Sequence, residues 1–263
     1  MDRDRGDQPA EDAMRLLLDV GNSRLKWAFW DGRTLQDRGA LEHPGAADAP
    51  WEALLEALGE RLPARPVEGV WAVEVVGPDF RAACAAWARR RGWPDPRFLE
   101  VDAAQHGIVS AYHDPDRLGR DRYAALAGAR ALGEESAVVV DCGTAVTLDR
   151  LLPGGHHSGG LILPGLGLMR RSLGLAPGVG GAVEGGESCV PAVCTGDAVA
   201  SGTLLGLAAA IDALTARLGE TPPQAAVLLT GGDAPRLVPH LACGAVHMPD
   251  LVLQGLAWAL ERG

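Results

Sequence analysis

The 263-residue sequence lacks a cysteine framework, a long unbroken apolar run and a surplus of positive charge. Its five cysteines (Cys84, Cys142, Cys189, Cys194 and Cys243) are odd in number, widely spaced and without a CxxC pair. That spacing excludes a disulfide scaffold and a structural zinc module, and it points to a reducing compartment. No 18 consecutive residues are all apolar, and the N-terminus has no signal-peptide core. A soluble, cytoplasmic protein with no membrane partner is expected. A formal net charge of −10 argues against non-specific nucleic-acid binding and leaves room only for a local basic pocket.

What is present is enough apolar material, 47% of the residues, for a substantial core in one large or two smaller domains. Residues 1–13 are polar and without periodicity, which predicts a disordered extension, with Met14 an alternative first residue. Beyond it, strand-like and helix-like stretches alternate, the mark of an α/β chain. "WEALLEALGERL" (51–62) places Leu54, Leu55, Leu58 and Leu62 on one helical face. "VEGVWAVEVV" (67–76) reads as a strand and "DFRAACAAWARRRG" (79–92) as a helix ended by glycine. Helices are also expected over 120–132, 195–219 and 249–262, and a strand over 226–234. Twelve glycines between 153 and 186 suggest a functional or mobile stretch.

Two segments repeat each other. "LLLDVGNSRLKWAFWDGR" and "AVVVDCGTAVTLDRLLPG" share an apolar run, an aspartate, a glycine, a small polar residue and a second strand, about 122 residues apart. Asp19 matches Asp141 and Gly21 matches Gly143. The repeat predicts a duplicated fold, with domains over 14–133 and 134–263. Strand–turn–strand units of this kind suit phosphate, because successive turn amides point into one concavity and glycine allows close approach. Asp19 implies a nearby Mg²⁺ or an ordered water, and Lys26 is within reach of a terminal phosphate as a point charge. Two such hairpins would grip a nucleoside triphosphate, with the turn "TGGD" (230–233) near its sugar or base. Taken singly, each hairpin is also readable as plain scaffold and Lys26 as a solvated strand residue. Asp121 and Arg122 would serve equally well as a pair at a helix start. The adjacent His156 and His157 lack partner ligands in sequence for a metal.

Together, "DVGNSRLKW", "LGRDR", "DCGTAVT", "GGLILPGLGLM" and "LLTGGDA" resemble the type III pantothenate kinases, most closely the branch of the Bvg accessory factors. The resemblance runs from residue 14 to about 260 and keeps five motifs in the family's order. It implies two duplicated ribonuclease H-like domains of the acetate and sugar kinase/Hsp70/actin fold, with a nucleotide cleft between them. It implies ATP-dependent phosphorylation of pantothenate to 4'-phosphopantothenate, the first step of coenzyme A biosynthesis. ATP phosphates would be bound by Asp19, Val20, Gly21, Asn22, Ser23, Arg24, Leu25 and Lys26, with Thr144 a further nucleotide contact. Pantothenate would be bound by Tyr112, Gly119, Arg120, Asp121, Arg122 and Thr195, with Asp121 as the base and Arg122 offering a fork to the carboxylate. Asp141 would hold a monovalent cation, K⁺ or NH₄⁺, beside Mg²⁺-ATP, in a homodimer. Two departures stand out: Ser23 replaces a common threonine, and at the end of the strand in 70–78 Glu74 replaces a small polar residue and Gly77 precedes the proline. The rival readings are another small-molecule kinase of this fold and a catalytically idle regulator.

Overall fold

The structure, a computed structural model, describes residues 14–45, 50–179, 185–187, 190–220 and 224–262. The expected extension at 1–13 and Cys189 lie outside the described residues. The chain divides into two compact units, the first ending at Leu99 and the second beginning at Glu100.

The first unit runs β1 (Met14–Val20), β2 (Arg24–Trp30), β3 (Leu35–Glu42), α1 (Trp51–Arg61), β4 (Val67–Glu74), α2 (Pro78–Arg90) and β5 (Arg97–Phe98). Its sheet has the order β3-β2-β1-β4-β5. Strand β1 is antiparallel to β2 and parallel to β4. Leu16, Leu17 and Leu18 are all fully buried, so β1 is covered on both faces and reads as a continuous apolar run. On one face Leu16, Leu18, Val20 and Leu25 join Leu55, Leu58, Phe80 and Trp87 in a core. Glu74, the departure noted above, has a structural role at the end of β4. Its buried carboxylate accepts from the Val76 and Gly77 amides at 3.0 and 2.8 Å and from Arg81 Nε at 2.6 Å. It thereby closes the turn into α2, where Gly77 takes a positive φ of 96° ahead of Pro78.

The second unit runs α3 (Ala103–His106), β6 (Val109–Ser110), α4 (Arg120–Ala131), β7 (Ala137–Cys142), β8 (Ala145–Leu152), β9 (His156–Pro164), α5 (Leu166–Gly174), α6 (Thr195–Gly219), β10 (Ala226–Thr230), α7 (Ala234–Leu237), β11 (Val246–His247) and α8 (Leu251–Leu260). Its sheet order is β11-β10-β7-β8-β9-β6. Strand β7 is antiparallel to β8 and parallel to β10, and β8 is antiparallel to β9. Read from β9 to β11, the order and sense repeat those of the first sheet from β3 to β5. The duplication seen in the sequence is therefore a duplication of topology.

Within the glycine-rich stretch, His156–Pro164 forms β9 and Leu166–Gly174 forms α5, while residues 180–184 lie outside the described residues. Helix α6 is long and apolar enough to cross a membrane by length and composition, although it contains no wholly apolar 18-residue run. Half of its apolar window is buried within the protein, where Leu204, Leu207, Ala208 and Ile211 pack with Val138, Val140, Leu148 and Leu229.

Helix α4 packs along α8 within the second unit. The contact is made through glycine. A Cβ on Gly255 would overlap the Ala124 carbonyl, and one on Gly128 would overlap the Leu251 carbonyl. Around them α4 offers the buried small residues Ala124, Ala125, Ala127 and Ala129. Gly255→Val should therefore force the helices apart, costing about 1–3 kcal/mol and lowering the thermal midpoint by roughly 2–4 °C per kcal/mol. A melting curve that matches the wild type would show that α4 and α8 do not touch this closely.

Candidate active site

The first turn lies between β1 and β2. Gly21 N–H donates to the Arg24 carbonyl at 3.0 Å, and Ser23 C=O accepts from His43 N–H at 3.0 Å. His43 also clamps the turn through its ring. Nδ1 accepts from the Gly45 amide at 3.3 Å, so the proton sits on Nε2, which donates to the Gly21 carbonyl at 3.0 Å. Burial lowers the His43 pKa and keeps the ring neutral. Nothing in the local sequence announces this histidine. Val20 and Leu25 point into the core, so only their backbone is available to a ligand, whereas Asn22 and Ser23 are exposed. Arg24 forms an exposed cross-strand ion pair with Glu42 at 2.7 Å. Asp19 and Lys26 are register partners, with Nζ 4.0 Å from Oδ2. Lys26 is the single lysine of the chain, the other 23 basic residues being arginine. A compact ammonium at this one position differs in chemistry from every other cation the protein carries.

The second and third turns are knit together. Gly143 N–H donates to the Ala145 carbonyl at 3.0 Å, leaving Thr144 exposed, and Gly165 N–H donates to the Thr144 carbonyl at 3.1 Å. Gly165 is required there, since a Cβ would overlap the Gly143 carbonyl. Strand β10 pairs with β7 so that Thr230 lies opposite Asp141, and Asp233 N–H donates to the Cys142 carbonyl at 2.9 Å. The Thr230 hydroxyl is buried beside this carboxylate-bearing strand end and has no hydrogen-bond partner among the described residues.

The start of α4 carries Asp121 and Arg122, the acid and the cation singled out in the sequence. Asp121 lies in its first turn, half-buried, and its Oδ1 accepts from the Arg122 amide at 2.8 Å. Gly119 makes room for it, because a Cβ there would stand 2.6 Å from Oδ1. Burial pushes the Asp121 pKa up and the Asp149 charge adds to that, while the Arg122 amide and guanidinium oppose it. Arg122 is itself only 7% exposed. Its Nε and Nη2 donate to Asp149 at 2.8 and 2.6 Å, and its Nη1 donates to the Tyr112 hydroxyl at 2.8 Å. The fork expected to face a substrate carboxylate is thus occupied by Asp149, a residue the sequence did not single out. Burial works against the Asp149 charge, but hydrogen bonds from His157 and Arg122 outweigh it and hold its carboxyl below the ordinary value. The structure therefore brings Tyr112, Gly119, Asp121 and Arg122 together. Arg120 instead pairs at the surface with Glu100 at 2.7 Å. Thr195 is the exposed first residue of α6 and shares no hydrogen bond with this group among the described residues.

The sequence pattern of the family described as type III pantothenate kinase matches residues 15–217. A type III pantothenate kinase from Halorhodospira halophila is 38% identical over 255 residues, spanning 92% of this chain and 96% of its own. Among solved structures, a Baf family protein from Campylobacter jejuni matches with a TM-score of 0.59 at 21% identity, over 94% of this chain and 97% of its own. A ROK family glucokinase from Streptomyces griseus, in complex with glucose and AMPPNP, matches with a TM-score of 0.55 at 13% identity, over 93% of this chain and 98% of its own. The two structural matches place the duplicated sheets in the fold shared by the acetate and sugar kinases, Hsp70 and actin. Because the likeness in sequence runs through nearly the whole length of both partners, this chain belongs to the type III pantothenate kinase family.

Proposed function

We propose that the protein transfers the terminal phosphoryl group of ATP to the hydroxyl of pantothenate, giving 4'-phosphopantothenate at the first step of coenzyme A biosynthesis. The observation that carries the chemistry is Asp121, a half-buried carboxylate with a raised pKa in the first turn of α4, beside a guanidinium and a phenol. Phosphoryl transfer asks little covalent help of a protein, but the attacking hydroxyl must be oriented and must lose its proton. A carboxylate with its pKa shifted upward is suited to take it. Arg122 uses three of its five N–H groups within the protein, which leaves two to meet the substrate carboxylate beside Tyr112. Thr195 would line the same pocket and Gly119 would let the substrate approach.

The amides of Gly21, Asn22 and Ser23, with Lys26, would hold ATP phosphates, and Thr144 would contact the nucleotide. Among the described residues no three His, Cys, Asp or Glu side chains cluster around an ion. A divalent ion would therefore lean on phosphate oxygens and water with one carboxylate such as Asp19, the usual situation for Mg²⁺. When bound with ATP, Mg²⁺ neutralises charge on the phosphoryl group being transferred. Asp141 is the proposed ligand for K⁺ or NH₄⁺, and the orphaned Thr230 hydroxyl opposite it suits a second oxygen ligand. A homodimer is proposed on the exposed apolar side chains of β9 and α5 and the residue after them: Leu161, Ile162, Leu168, Leu173 and Leu175. The net charge of −10 supports an enzyme without nucleic-acid or anionic-membrane partners, and the absence of a disulfide framework from the sequence supports a cytoplasmic one.

Coupled ADP release with ATP, Mg²⁺ and pantothenate tests the reading, and pantothenate-independent ADP release would sink it. Asp121→Asn should lower kcat by roughly 10²–10⁴-fold with ATP binding and melting temperature kept. In the wild type, kcat/KM should fall on the acid side at a pH above the ordinary carboxylate value of about 4, because burial raises the Asp121 pKa. Lys26→Arg should raise the ATP KM by roughly tenfold, the loss of about one charge-assisted hydrogen bond, and an unchanged KM would assign Lys26 to the solvated surface. Asp141→Asn should abolish the difference between assays in potassium and in sodium; a difference that survives would place the cation elsewhere.

A further inference from the structure

Arg122 is central to the acid-binding reading, and its place is set by a closed circuit of hydrogen bonds. Asp149 takes Nε and Nη2 of Arg122 at 2.8 and 2.6 Å and also accepts from His157 Nε2 at 2.8 Å. An ionised carboxylate can only accept, so His157 carries its proton on Nε2. Its Nδ1 then accepts from the Ser110 hydroxyl at 3.4 Å, and Ser110 Oγ accepts from the Tyr112 amide at 3.1 Å. The circuit closes where Arg122 Nη1 donates to the Tyr112 hydroxyl at 2.8 Å. Asp149 and His157 are both almost fully buried, at 2% and 1% exposure, and neither reaches solvent to bind anything itself. Gly160 of β9 keeps the space clear, since a Cβ there would stand 2.7 Å from Arg122 Nη2 and overlap Asp149.

We propose that Asp149, itself oriented by His157, is the positioning residue of the pantothenate pocket, fixing Arg122 so that its remaining N–H groups and Tyr112 meet the substrate carboxylate together. The proposal rests on the kinase reading above. Asp149 also balances the Arg122 charge. The pocket therefore selects its acid by hydrogen-bond geometry more than by net charge, and a misdirected guanidinium costs binding even though its charge is retained.

Steady-state kinetics of Asp149→Asn, His157→Phe and His157→Gln, with ATP and pantothenate varied separately, test it. Asp149→Asn should raise the pantothenate KM by roughly tenfold or more while the ATP KM stays within about twofold. His157→Phe, which removes the donor to Asp149, should show a smaller rise in the same parameter. His157→Gln, which can restore an N–H donor, should recover most of it. A purely structural role would lower the melting temperature and the active fraction without separating the two KM values. Equal changes in both KM values, or an unchanged pantothenate KM, would overturn the assignment while the wild type still turned over pantothenate. If Asp149→Asn does not fold, the split between His157→Phe and His157→Gln decides alone. A wild type without pantothenate turnover overturns the kinase reading, and the positioning role with it.

Discussion

A β-strand covered on both faces has little place for a polar side chain along its middle, and this constraint shapes both halves of the protein. In β1 the residues Leu16 to Leu18 are fully buried, and in β7 Val138 to Val140 are at most 2% exposed. Each strand is hydrogen-bonded on both sides, antiparallel on one and parallel on the other. Past Arg15 near the start of β1, the first polar residue that either strand carries falls close to its end, as Asp19 and Asp141. There the chain must turn, and the turn amides, freed from the ladder, come to the surface. The repeated motif is thus a consequence of burial before it is a device for chemistry.

The same constraint explains what could be read in advance. Long apolar runs ending in an aspartate and a glycine are visible in any sequence, so the duplication, the two hairpins and the longer helices were legible. Strands β5, β6 and β11 were not, because two residues hold no period. The glycines between 153 and 186 hid β9 and α5 from a reading by composition, and one of them, Gly160, marks close packing inside β9. Helix α4 precedes the second repeat in sequence but packs on α8 at the far end of the chain, a pairing that no local pattern announces.

At the site, Asp121 and Arg122 stood in a recognisable motif, whereas the residues that hold them did not. Asp149 lies 27 positions from Arg122, and His43 lies 22 positions from Gly21, distances at which spacing carries no signal. The adjacent histidines are instructive. Side chains of neighbouring strand residues point to opposite faces, so His156 is exposed while His157 is buried against Asp149. They were never a pair. A buried aspartate within the strand sequence "TLDRLL" was the one available hint that an internal cation had to meet it.

The contact of α4 with α8 has a consequence for conformational entropy. Most interfaces immobilise long side chains and lose rotamer freedom in doing so, up to about 2 kcal/mol for each of the longest. Here glycine and alanine supply much of the contact, and these residues have no rotamers to lose. The position of α4 is set by backbone against backbone, which offers few alternative packings. Asp121, in the first turn of that helix, is accordingly carried on an element whose placement is fixed with little loss of rotamer freedom.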